Sequence, residues 1–139
     1  MAVATAATFV WLGMVLAISF LEAPLKFRAP GVTTVIGLGI GRLVFRALNV
    51  AEGVLALVVA IAVLVAGVPV GPAVVLGVLV VLLLVQLGVV RPRLNRRSDR
   101  VLAGEDAPRS RLHLVYIGLE VVKVVALVVL GVLLLLGGA

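Results

Sequence analysis

Residues 49–90 read NVAEGVLALVVAIAVLVAGVPVGPAVVLGVLVVLLLVQLGVV, and the block Gly67-Val-Pro-Val-Gly-Pro72 in the middle decides the fold. The flanking runs are apolar and carry a single ionisable residue, Glu52. A helix needs about 20 residues to cross about 30 Å of hydrocarbon, so an uninterrupted run of this size would make one helix of about twice the required length. Proline and glycine break it into two. The expected elements are spans over 49–68 and 70–90, joined by a tight uncharged turn.

Working outward, residues 2–21 and 112–137 also have the length and apolarity of a membrane span. The first of these lacks a positively charged leader region and runs into Pro24, so it reads as a retained helix and not a cleaved signal. The chain of 139 residues is 64% hydrophobic with a mean hydropathy of +1.38. So short a chain has too little interior to hide that much apolar surface from water, and lipid must be its solvent. The expectation is an all-α, polytopic membrane four-helix bundle forming one transmembrane domain over residues 1–139.

The net charge of +6 is gathered in two of the three connections. Lys26, Arg28, Arg42 and Arg46 mark the first; Arg91, Arg93, Arg96, Arg97, Arg100, Arg109 and Arg111 outnumber Asp99, Glu105 and Asp106 in the third, over 91–111. In a four-span chain these connections share a side, and the positive-inside rule makes that side the cytoplasm. A multi-pass protein of the inner (cytoplasmic) membrane with both termini on the non-cytoplasmic side is expected, and a dual-topology multidrug transporter is disfavoured. The basic loop, with Pro92 ending the third helix and Pro108 preceding the fourth, should lie against anionic headgroups. No aromatic platform or groove-reading motif accompanies the arginines, so nucleic acid is not an expected partner.

Residues 32–48 hold an apolar run too short to cross, which predicts an interfacial or re-entrant helix after the first span, capped by Thr33 or Thr34. Arg42, Arg46 and Asn49 follow on one face, so this helix is able to bend directly into the second span. Gly37-Leu-Gly-Ile-Gly41 fits neither a dinucleotide fingerprint nor a P-loop, and close helix packing through Gly37 and Gly41 is the better reading.

Counting inward from the outer span ends, Glu52, Gln86 and Glu120 each fall about 24 Å from the outer boundary. Ser19 lies at a similar depth, with Glu22 one turn further in, so every span contributes to one polar layer. In the last span His113, Tyr116, Glu120 and Lys123 fall within an arc of about 80°. Thr5, Thr8, Ser19, Glu22 and Lys26 form a comparable stripe in the first. Opposite charges are available, Glu22 and Glu52 against Lys123 and Arg46. Candidate ligand-binding residues are therefore Glu22, Arg46, Glu52, Gln86, Tyr116, Glu120 and Lys123, since carboxylates and a lysine in or near lipid are costly unless paired or wet. Trp11 and Tyr116 are too few for an aromatic cage, and Tyr116 fits an interface anchor.

There is no cysteine, which excludes disulfides, iron–sulfur ligation and a cysteine nucleophile. One histidine, with no His-x-x-His or Glu-x-x-His pairing, supports neither a metal site nor a bis-histidine haem. No catalytic residue, metal or cofactor is expected, and the chain reads as non-enzymatic.

Trp11-Leu-Gly, Ser19-Phe-Leu-Glu-Ala-Pro-Leu-Lys-Phe27, Gly41-Arg-Leu-Val-Phe45, Arg91-Pro-Arg-Leu-Asn95 and Arg111-Leu-His-Leu114 follow one another in order along nearly the whole chain. In this the sequence resembles the transmembrane protein 205 family and related small membrane proteins grouped as a domain of unknown function. The resemblance implies a four-helix bundle and assigns no chemistry. Glu120 and Lys123 depart from that family's pattern, so a site built on them would be particular to this chain.

Two functional expectations follow. In the first, the polar layer binds or conducts a small solute, an ion or a proton. In the second, the polar residues are structural and the protein is an accessory subunit, or a homo-oligomer, packing through the small-residue pairs Gly13/Ala17, Gly37/Gly41 and Ala56/Ala60.

Overall fold

The computed structural model describes residues 1–106 and 111–138. Pro108 and Arg109 of the basic connection lie outside the described residues. Four long helices make up the fold: α1 (Ala2–Arg28), α2 (Thr34–Ala66), α3 (Val70–Leu102) and α4 (Arg111–Gly137), each apolar and long enough to cross a membrane. The chain is a multi-pass integral membrane protein with an all-α four-helix architecture.

The turn that decided the sequence reading behaves as its residues dictate. Gly67 adopts a left-handed conformation (φ +61°), and its N–H and that of Val68 are given to the carbonyls of Leu64 and Val63. Glycine takes that backbone without a Cβ penalty, and Pro69 then stops the helix from resuming before Val70.

Three expected boundaries differ. Residues 34–48 of the expected 32–48 helix are helical but not a separate element: α2 starts at Thr34, with Thr33 Oγ1 accepting the Ile36 N–H at 3.2 Å, and continues unbroken to Ala66. No proline interrupts it, and glycines alone do not stop a helix that is packed on one side. Pro92, expected to end the third helix, lies inside α3, which runs on to Leu102. Pro24 likewise lies inside α1, beyond the expected end of the first span at residue 21. Each proline is preceded by a wide π-helical stretch, Leu16–Glu22 and Gln86–Val90. There the Ala23 N–H reaches back five residues to the Ile18 carbonyl, and the Arg91 N–H to that of Gln86. A proline has no N–H to give and crowds the carbonyl four residues back, and the wider turn absorbs both defects without ending the helix.

α1 lies against both α2 and α4, α3 lies against α4, and α2 meets mainly the Arg91–Leu102 end of α3. The interior is a stripe from each helix at three- and four-residue spacing: Ala4, Ala7, Trp11 and Val15; Ala56, Val59 and Val63; Leu76, Leu79 and Leu83; Leu127, Leu130 and Leu134. The opposite faces present valine and leucine outward, with Leu64 and Val65 79% and 83% exposed. Such faces are stable only in hydrocarbon. At 33 residues each, α2 and α3 are about 50 Å long and outreach the hydrocarbon, so their arginine-bearing ends share one basic end of the bundle.

Gly37 is where α2 meets the end of α1. A Cβ there would lie 2.1 Å from Phe27 Cε1, and one at Gly41 would lie 2.9 Å from Lys26 Nζ. Gly37→Ala is expected to lower stability by about 1–3 kcal/mol through overpacking. Adding Phe27→Ala should recover most of the loss, as read from thermal unfolding in detergent. An unaffected Gly37→Ala protein would show that the Phe27 ring swings aside freely.

Candidate functional site

The inward stripes that carry the apolar core carry a charged centre as they approach the basic end. On α2 the stripe runs Leu48, Glu52, Ala56, Val59; on α3, Leu79, Leu83, Gln86, Val90; on α4, Tyr116, Glu120, Lys123, Leu127. Glu52, Gln86, Glu120 and Lys123 therefore face the bundle axis for the same geometric reason as the leucines around them. Each is at most 2% exposed.

Lys123 is the hub. Its Nζ lies 2.7 Å from Glu52 Oε1, 2.5 Å from Glu120 Oε1 and 2.7 Å from Gln86 Oε1, so the three N–H donors of the ammonium meet acceptors from three helices. The Gln86 amide is held at both ends, since its Nε2 donates to Glu120 Oε1 at 2.7 Å. α1 closes the network with two donors. Trp11 Nε1 donates to Glu52 Oε1 at 2.9 Å, and Ser19 Oγ donates to Glu120 Oε2 at 2.6 Å. All four helices thus join in one cluster in which two carboxylates share one ammonium. With every group ionised it holds one net negative charge, and a single proton or monovalent cation would neutralise it.

Both π-helical stretches carry a member of this cluster, Ser19 in one and Gln86 in the other, and both members bond to Glu120. A π turn shifts the phase of all that follows, so the helix face after Ser19 and Gln86 differs from the face a regular helix would present.

Toward the basic end, Tyr116 is buried one turn from Glu120, its ring edge-on to Phe45 at 6.0 Å and 84°. The Arg91 guanidinium lies over both rings, 4.3 Å from Phe45 and 4.8 Å from Tyr116. Beyond Arg91 is a cavity of about 370 Å³ between α2 and α3.

Of the seven candidate residues, Glu52, Gln86, Glu120 and Lys123 meet in the network, and Tyr116 flanks it. Glu22 and Arg46 do not join. Glu22 pairs with Lys26 in its own helix at 3.7 Å, and Arg46 is exposed on the cavity wall. Of the expected opposition of Glu22 and Glu52 to Lys123 and Arg46, the Glu52–Lys123 pair forms, Lys123 serves Glu120 as well, and Glu22 and Arg46 stand apart. The polar stripe expected on α1 reaches α4 at one residue only. Thr5 and Thr8 donate to the carbonyls of Met1 and Ala4 in their own helix, and Ser19 alone of that stripe bonds across to α4. A hydroxyl satisfied by its own backbone needs no partner helix.

Sequence reasoning passed over Trp11 and Arg91, the first set aside as too few aromatics, the second assigned to a solvated loop. The signal for Trp11 was its place on the Ala4–Thr8–Trp11–Val15 stripe, since an indole N–H buried among apolar residues requires an acceptor. No protein-family model, curated protein or solved structure matches the chain.

Proposed function

We propose that the Glu52–Glu120–Lys123 centre is a membrane-embedded proton-binding site and that the protein is a non-enzymatic carrier or conductor of protons. The observation that carries this reading is that two buried carboxylates share a single ammonium, which leaves one negative charge in a region of low dielectric. A proton suits the site better than a metal ion. Glu120 Oε1 already receives Lys123 and Gln86, and Glu52 Oε1 receives Lys123 and Trp11, whereas a hard cation needs several oxygens of its own. The proton belongs to the coupled pair of carboxylates and not to either one alone.

The positive-inside rule orients the basic end toward the cytoplasm of an inner membrane, with Tyr116 and Arg91 between the centre and that side. Membership of the transmembrane protein 205 family, proposed on sequence motifs alone, adds no chemistry to this reading.

Glu120→Gln tests it, because the amide keeps the shape and an acceptor oxygen while removing the charge. The variant should stay folded within about 1 kcal/mol. It should also lose the carbonyl stretch of a protonated buried carboxyl in infrared difference spectra and the acid-driven dye response of reconstituted liposomes. A dye response equal to that of empty liposomes in the unsubstituted protein, with no protonated-carboxyl band, would sink the proposal.

One observation favours a second reading, an accessory subunit or homo-oligomer with a structural centre. Gly37 and Gly41 are used within the bundle, whereas Gly13 and Ala17 are exposed on α1, with open space where a Gly13 Cβ would sit. Small residues at this spacing let a second helix approach closely. Cross-linking through cysteines placed at Gly13 and Ala17 in native membranes separates the two readings: capture of a second chain supports the assembly, and no capture removes its basis.

A further inference from the structure

We infer that the cavity between α2 and α3 at the basic end is a binding site for a phosphate-class anion. It encloses about 370 Å³ and is lined by Arg42, Leu43, Arg46, Asn49, Arg91 and Asn95. Three guanidinium groups and two carboxamides converge there with no acidic residue in the lining, and guanidinium is the side chain best shaped to take phosphate oxygens in pairs.

The states of the three arginines sharpen the case. Arg42 is paired with Asp99 across the two helices, which holds the walls together. Arg46 makes no ion pair among the described residues and is exposed. Arg91 is fixed in direction by Phe45 and Tyr116, but its Nε and Nη2 are shut off from water with no hydrogen-bond acceptor among the described residues. Charged N–H groups left without a hydrogen bond are expensive. An oxyanion in the cavity meets the exposed Arg46 guanidinium, with Arg91, Asn49 and Asn95 beside it in the lining.

The surroundings suit a phosphate that carries an acyl tail. Leu43 in the lining is 72% exposed, and the outer faces of α2 and α3 continue from the cavity through Val50, Val54 and Leu57 and through Val81, Leu84, Val85 and Val89, all exposed. A basic pocket between spans beside an apolar surface meets both ends of an anionic lipid. Free phosphate shares the headgroup chemistry and lacks the tail.

Native mass spectrometry of the full chain in detergent, with phosphatidylglycerol, phosphatidylcholine or inorganic phosphate added, tests the inference. The expected result is one bound phosphatidylglycerol per chain, at least tenfold preferred over phosphatidylcholine. Arg46→Gln and Arg91→Gln should each weaken it about five- to tenfold. Arg93→Gln, an exposed arginine outside the lining, should leave it unchanged. Displacement of the lipid by inorganic phosphate would make free phosphate an occupant as well, and resistance to displacement would make the lipid the ligand; either supports the site. Equal binding of both lipids with no phosphate bound, or an Arg93→Gln loss as large as that of Arg46→Gln, would overturn it. Arg46 is exposed, so its substitution does not threaten the fold.

Discussion

Lys123→Met is expected to lower the stability of the bundle by about 3–5 kcal/mol, the usual cost of removing one partner from a buried ion pair. Methionine is of similar length and apolar, so little packing is lost. What is lost is the donor common to Glu52 Oε1, Glu120 Oε1 and Gln86 Oε1, and two carboxylates then face each other with no cation between them. The magnitude discriminates between two accounts. Single hydrogen bonds between membrane helices are worth on average about 0.6 kcal/mol, because the unfolded chain in the membrane finds partners too. A loss of that size in a denaturant titration in mixed micelles would mean that Lys123 is one polar contact among several. A loss several times larger would identify it as the group holding the charges of the centre in place. Adding Glu52→Gln and Glu120→Gln to Lys123→Met should restore most of the stability, since no charge is then left unpaired. A triple variant as unstable as Lys123→Met would show that geometry and not charge is at stake.

Trp11→Ala is expected to cost about 3–5 kcal/mol, and here packing and a lost hydrogen bond both contribute. Trp11 is fully buried within the stripe that α1 presents to the interior, and removing the indole empties a large volume next to Glu52. Lipid tails are as apolar as the core, so membrane helices gain little from the hydrophobic effect and depend on contact and fit. Trp11→Phe separates the terms. Phenylalanine fills most of the space and lacks the N–H donated to Glu52 Oε1, so its loss should be about 1.5–3 kcal/mol, the range for a hydrogen bond to a charged group. Comparable thermal shifts for the two variants would assign Trp11 to the charged centre, whereas a silent Trp11→Phe would assign it to packing alone.

Much of the candidate site is legible in the sequence because depth in a membrane is a linear quantity. Counting residues from the Gly67–Pro72 break brings Glu52 and Gln86 to the same level, and the same count along the last span picks out Glu120. The spacing of Glu120 and Lys123 puts them on one face of a helix, and the structure has them 2.5 Å apart. Rotation about each helix axis is less legible. It advances by 100° per residue and is reset by each π turn, so an error of one position turns a side chain from the interior toward lipid. Glu22, at the end of the first π turn, is paired with Lys26 and not with Lys123, and Arg46 lies on the wall of the cavity between α2 and α3.

The sequence by itself determined that the chain lives in lipid, that it has four spans, where the turn between the second and third lies, and that its positive charge gathers at one end. These follow from hydropathy, proline, glycine and charge read along the chain, which are local properties. Only the tertiary structure decided that α2 and α3 continue past Asn49 and Pro92, that Trp11 and Ser19 complete a four-helix network around Lys123, and that Arg91 turns from a loop charge into the wall of a cavity. Those outcomes depend on which helix faces meet, and faces are set by packing across the bundle, where residues far apart in sequence compete for the same few acceptors.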